Sequence, residues 1–147
     1  MRLSVPGNWE QIGGGSGTVT YAPEGGYYRD QNGASTFTHG IEVGVARGDG
    51  RSLQQQTEQL LQSFAQNNPN LRRQGGYSRT SIGGRQGITT TLSNVSDATG
   101  KSETIQVVTT LMQDGNLMYL IAVAPQDEFG SYQSAFQRVV GSVRLMN

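Results

Sequence analysis

An antiparallel sheet of six or seven strands held between two helices, an α+β sandwich, is the fold class this sequence predicts. Three patterns lead to it. Two long strand-like runs flank Asp114-Gly115 and are apolar on both faces. Two other segments, one opening at Ser52 and one running from Phe129 to Val143, carry apolar residues at helical spacing. Short alternating runs separated by glycine-rich turns fill the first half.

The elements follow in order. Residues 9–12 read as a first strand and Gly13-Gly14-Gly15-Ser16-Gly17 as a flexible turn. Residues 18–22 alternate small polar and apolar side chains, as a half-buried strand should. Pro23-Glu24-Gly25-Gly26 is a turn, residues 27–30 an edge strand, and residues 31–38 a polar loop. Ile41, Val43 and Val45 then share one strand face. Gly40, Glu42 and Gly44 occupy the other, where their small size leaves room for a close neighbour. Ser52 and Gln55 form a capping box that starts a helix carrying Leu53, Leu60, Leu61 and Phe64. Pro69 stops that helix by disfavouring helical geometry at Asn68. Ile82-Gly83-Gly84 separates a strand near residues 75–81 from one near 86–93, and residues 94–101 form a polar loop.

The last hairpin decides the architecture. With Asp114-Gly115 as a two-residue loop, Gln113 pairs with Asn116. Val108, Thr110 and Met112 then share a face with Leu117, Tyr119, Ile121 and Val123. Ile105, Val107, Thr109 and Leu111 share the other with Met118, Leu120, Ala122 and Ala124. A hairpin wetted on one side would show one polar face, so this sheet requires cover on both. The second helix supplies a stripe of Phe129, Tyr132, Phe136, Val139, Val140 and Val143.

Length and composition narrow the function. At 147 residues the chain fits one domain, spanning 1–147. The opening Met1-Arg2-Leu3 runs straight into Ser4-Val5-Pro6, which suggests a piece excised from the C-terminal part of a longer protein with Met1 added. Eleven basic and eleven acidic residues cancel, which argues against a nucleic-acid partner or an anionic membrane surface. No run approaches the roughly 18 apolar residues of a membrane span, so no direct membrane insertion is expected. The absence of cysteine removes thiol catalysis, disulfides and any cysteine-based zinc site.

Candidate chemistry is thin. His39 is the single histidine, with no second imidazole to complete a metal site or an obvious triad. Glu42 follows on the opposite strand face. An enzymatic reading would have to use His39, Asp30 or Glu42 as acid–base groups lined by glycine-rich loops. Gly13 to Gly17 resembles a phosphate cradle in composition, but a strand follows it rather than a helix. Gly100-Lys101-Ser102 ends like a nucleotide-binding loop, with Val95 where the first glycine belongs. Asp127-Glu128 suits a helix N-terminus, and Arg72-Arg73, Arg79 and Arg85 read as a solvated face. Tyr27 and Tyr28 beside Arg29 are the residues best suited to a partner surface, because adjacent strand residues point to opposite sides and leave one tyrosine outward. His39 is grouped with them.

Several segments together resemble a known family. They are Ala22-Pro-Glu-Gly-Gly26, His39-Gly-Ile-Glu-Val-Gly44, Asn67-Asn-Pro-Asn-Leu-Arg72, Gly83-Gly-Arg-Gln-Gly87, Thr91-Leu-Ser-Asn94 and Ala124-Pro-Gln-Asp-Glu-Phe129. They resemble a C-terminal accessory domain of bacterial membrane-associated zinc metallopeptidases, relatives of the CAAX prenyl protease and the β-barrel-assembly-enhancing protease. The element order resembles the PsbP/Mog-type fold. The resemblance implies a non-catalytic module in the bacterial envelope, periplasmic or otherwise extracytoplasmic. It would contact a protein partner or the parent peptidase domain. No cofactor is expected in this chain, and zinc belongs only to a parent domain with an HExxH helix. A free-standing PsbP/Mog-like binding protein is the alternative.

Overall fold

The computed structural model describes residues 3–15, 18–23, 27–29, 35–37, 39–95 and 100–145. The elements are β1 (Trp9–Gly15), β2 (Thr18–Pro23), β3 (Tyr27–Arg29), β4 (Ser35–Phe37), β5 (Gly40–Ala46) and α1 (Leu53–Asn67). They continue with β6 (Arg72–Arg73), β7 (Ser78–Ile82), β8 (Arg85–Val95), β9 (Ser102–Leu111), β10 (Leu117–Pro125) and α2 (Phe129–Ser142). One antiparallel sheet of eight strands runs β1-β2-β5-β10-β9-β8-β6, with β7 also on β8. The α+β sandwich is the expected class, with a longer sheet than six or seven strands.

The extra pieces carried no pattern. β6 is two residues long and pairs Arg72 and Arg73 with Ser93 and Leu92 at one end of β8, while β7 pairs with the other end. Residues 31–38 are not all loop, because Ser35–Phe37 forms β4. β3 is not an edge of the main sheet either; it pairs with β4 in a separate two-stranded ribbon. The turn expected over 13–17 starts later, because Gly13, Gly14 and Gly15 extend β1 and pair with Thr20, Val19 and Thr18. The loop expected over 94–101 loses Asn94 and Val95 to β8. The rest of those turns at 16–17 and 96–99, and the turn at 24–26, lie outside the described residues.

Local chemistry explains α1. Ser52 Oγ accepts from Gln55 N at 3.2 Å and Gln55 Oε1 accepts from Ser52 N at 3.2 Å, closing the capping box. The helix ends at Asn68, directly before Pro69. The β7–β8 hairpin turns through Gly83 and Gly84 at φ +61° and +80°, a left-handed pair that favours glycine at both positions.

The β9–β10 register differs from expectation by one residue. Met112 N donates to Asn116 O and Gly115 N donates to Met112 O, so the loop is Gln113-Asp114-Gly115, with Gly115 left-handed at φ +87°. A turn with a left-handed third residue replaces the two-residue loop. Leu117 therefore faces Leu111, and Tyr119 faces Thr109. The slip moves each strand's partners to the other face. Both sets are apolar, so two-sided cover survives the change.

The two faces form two cores. On one, Ile41, Val43, Val108, Met118 and Leu120 pack with Trp9 and with Phe136, Val139 and Val143 from α2 and its C-terminal cap. Phe136 is fully buried and touches Trp9 edge-on at 6.0 Å. On the other, Val107, Tyr119, Ile121 and Val123 pack beneath Leu61, Leu60 and Phe64 of α1. Thr57 and Thr109 are buried there, and their hydroxyl oxygens lie 2.7 Å apart.

Candidate functional site

β5 crosses the sheet with Ile41 and Val43 turned toward α2 and Glu42 toward the α1 side. α1 packs over β8, β9 and β10, and the sheet continues past it through β5, β2 and β1. Glu42 stands on this continuation, opposite Thr20 of β2 and Ile121 of β10. Burial pushes its carboxyl above the ordinary carboxylate value, and Thr20 pulls the other way. Among the described residues no basic side chain pairs with it.

Tyr119 of β10 lies opposite Gly44 and is only 8% exposed. Its ring meets Phe64 edge-on at 6.2 Å. A Cβ on Gly44 would strike Tyr119 Oη and would come within 2.9 Å of Thr18 Cγ2. The phenol therefore lies across Gly44 toward Thr18, which is the close neighbour that the small residues of β5 allow. Burial, and then the Glu42 charge, push the phenol's pKa up. Tyr119 Oη makes no hydrogen bond to any described residue. Glu42, Tyr119, Thr18 and Thr20 thus bring a carboxylate and three hydroxyls to the same face of the sheet.

His39 sits on the other side of the sheet. Its Nε2 lies 3.2 Å from Glu128 Oε1 at the start of α2, and its ring packs on Tyr132 at 5.2 Å. Glu128 therefore serves His39 and makes no side-chain cap on its helix. His39 and Glu42 do not converge, which removes the acid–base pairing; Asp30 lies outside the described residues. Tyr27, Tyr28 and Arg29 lie in β3, paired in register with Phe37, Thr36 and Ser35, and their side chains are outside the described set. β4 ends two residues before His39, so the ribbon leads into β5 through that histidine.

The remaining candidates keep structural roles. Arg73 pairs with Glu58 at 3.1 Å and lies over the Tyr77 ring at 5.0 Å, so this part of the basic face is tied to α1. Tyr77 Oη is buried without a hydrogen-bond partner, in a cleft of about 300 Å³ between α1 and β8. Burial is the main cause that raises its pKa. Gly13, Gly14 and Gly15 pair with β2 as the end of β1, and β9 follows Lys101. No group of three or more metal-ligating side chains occurs among the described residues. No helix is long and apolar enough to cross a membrane.

Sequence reasoning considered Glu42 only as a partner for His39. The available signal was a carboxylate flanked by glycines at alternate positions and facing an apolar neighbouring strand.

Comparisons with known proteins place the architecture. No family model matches the chain. No curated protein matches it in sequence. Solved structures do resemble it. LpqN of Mycobacterium tuberculosis, involved in cell envelope biogenesis, is 20% identical with a TM-score of 0.55, covering 95% of this chain and 79% of that one. The Saccharomyces cerevisiae Ran-binding protein Mog1p is 15% identical with a TM-score of 0.56, covering 94% and 86%. Cyanobacterial PsbP from Synechocystis is 11% identical with a TM-score of 0.50, covering 86% and 85%. At these identities the likeness establishes the fold, which is PsbP/Mog-like.

Proposed function

We propose that this chain is a non-catalytic protein-binding domain of the bacterial envelope. The observation that carries the reading is the PsbP/Mog-like fold, matched over 95% of the chain by LpqN and 94% by Mog1p. One of those proteins is involved in cell envelope biogenesis and the other binds Ran. The finer reading, an accessory domain of a zinc metallopeptidase, rests on the residue resemblance from Ala22 to Phe129. On that reading the domain binds substrate or the parent domain by contact, and zinc stays in the parent. The ribbon bearing Tyr27, Tyr28 and Arg29, with His39 at its exit, is one candidate contact surface.

A second reading has an observation of its own. LpqN and Mog1p share the fold across most of their own length, and a free-standing envelope binding protein with this fold is that second reading. Both readings predict that the purified chain, equilibrated with zinc, retains no stoichiometric metal and cleaves no unfolded protein substrate. Bound zinc by elemental analysis, or turnover abolished by His39→Ala with the fold intact, would contradict both.

A further inference from the structure

We propose that Glu42, Tyr119, Thr18 and Thr20 form a seat for an arginine side chain presented by a protein partner. The inference deepens the binding-domain reading and rests on it for the source of the arginine.

Two independent observations meet at this place. Glu42 is a partly buried carboxylate with no basic side chain paired to it among the described residues. Buried carboxylates are ordinarily paired, because removing a charge from water is costly unless an opposite charge or several donors replace the solvent. Thr20 is the one neighbour that favours the charged form. Tyr119 is 8% exposed, its Oη lies across Gly44 with no hydrogen bond to a described residue, and that oxygen is not among the buried unpartnered atoms, so it still meets solvent. A hydroxyl that meets solvent and bonds nothing within the chain is available to a partner from outside.

Chemistry selects the occupant. The carboxylate is an acceptor only, and each hydroxyl has lone pairs to offer. A side chain that brings donors and positive charge satisfies all of them at once. The guanidinium of arginine has five N–H donors in a planar fork and is more weakly hydrated than an ammonium, so it suits a site already half removed from water. It binds a carboxylate in two parallel hydrogen bonds. The sheet supplies rigidity: Glu42, Thr20 and Tyr119 stand on three adjacent hydrogen-bonded strands.

The full chain, labelled with ¹⁵N, is titrated with N-acetyl-arginine amide, with the neutral isostere N-acetyl-citrulline amide, and with sodium chloride at matched ionic strength. Saturable shifts at the amides of Thr20, Glu42, Gly44 and Tyr119 are expected with the arginine compound alone. Glu42→Gln keeps the side-chain shape and removes the charge, and it should weaken binding about tenfold or more. Tyr119→Phe keeps the ring and should weaken it by a smaller factor. Equal shifts from citrulline, saturation by sodium alone, unchanged affinity in Glu42→Gln, or no saturable shift would each overturn the site. Such a result would leave the binding-domain reading to its own zinc and proteolysis test.

Discussion

Replacing Thr57 by valine should cost far more than its size suggests. Thr57 Oγ1 donates to Leu53 O at 2.8 Å and lies 2.7 Å from Thr109 Oγ1. A hydroxyl has one proton, so with Thr57 donating to Leu53, Thr109 must donate to Thr57. Thr109 is fully buried in the sheet and Thr57 is 1% exposed. Thr57→Val therefore strands the Thr109 hydroxyl without water, at a cost of about 1–3 kcal/mol. Leu53 O is not stranded, because the helix backbone still bonds it. Thr109→Val removes one hydrogen bond but leaves Thr57 bonded to Leu53 O, for about 1 kcal/mol or less. The double variant strands nothing and fills the same volume, so it should be more stable than Thr57→Val alone. Urea unfolding of the three variants at constant slope gives the cycle. Additive single costs, or a silent Thr57→Val, would refute the claim that α1 docks through this pair.

Further outcomes follow from the same geometry. Gly44→Ala should destabilise by about 1–3 kcal/mol in urea unfolding, since the new methyl strikes Tyr119 and one of them must move. Gly83→Ala should cost more than Gly84→Ala: both positions are left-handed, but only the Gly83 methyl meets another residue, Leu145 Cγ at 2.8 Å. Glu42 sets a pH dependence. Its folded-state pKa lies above the reference value of 4.5, so the folded chain holds this proton more tightly than the unfolded chain. Its contribution to stability then falls as pH rises from about 4.5 through the folded pKa. Glu42→Gln should accordingly be more stable than the parent at pH 7, and the gain should close toward pH 4.5 in pH-dependent melts. His39→Ala should cost about 0.5–1.5 kcal/mol in melts by losing its bond to Glu128.

Much of the fold was legible because its signals are local. Ser52 and Gln55 announce a helix start three residues apart, and Pro69 announces its end. Gly83-Gly84 announces a tight turn. The apolarity of both faces of β9 and β10 demanded two covering layers, and α1 and α2 supply them. The register was not legible. Asp114-Gly115 fits both a two-residue loop and a three-residue loop beginning at Gln113, because a left-handed glycine serves either. β4 was missed because Ser35-Thr36-Phe37 is too short to show a period. The surroundings of Glu42 depend on Thr20, Gly44 and Tyr119 from three strands, and only the tertiary register brings them together.

The reading frame upstream of Arg2 in the source genome tests the central claim most directly. An envelope binding domain predicts an export signal or hydrophobic spans there, and an HExxH helix among the spans would identify the peptidase-accessory form. A frame that opens at Met1, or whose upstream region carries neither an export signal nor a membrane span, would contradict the account.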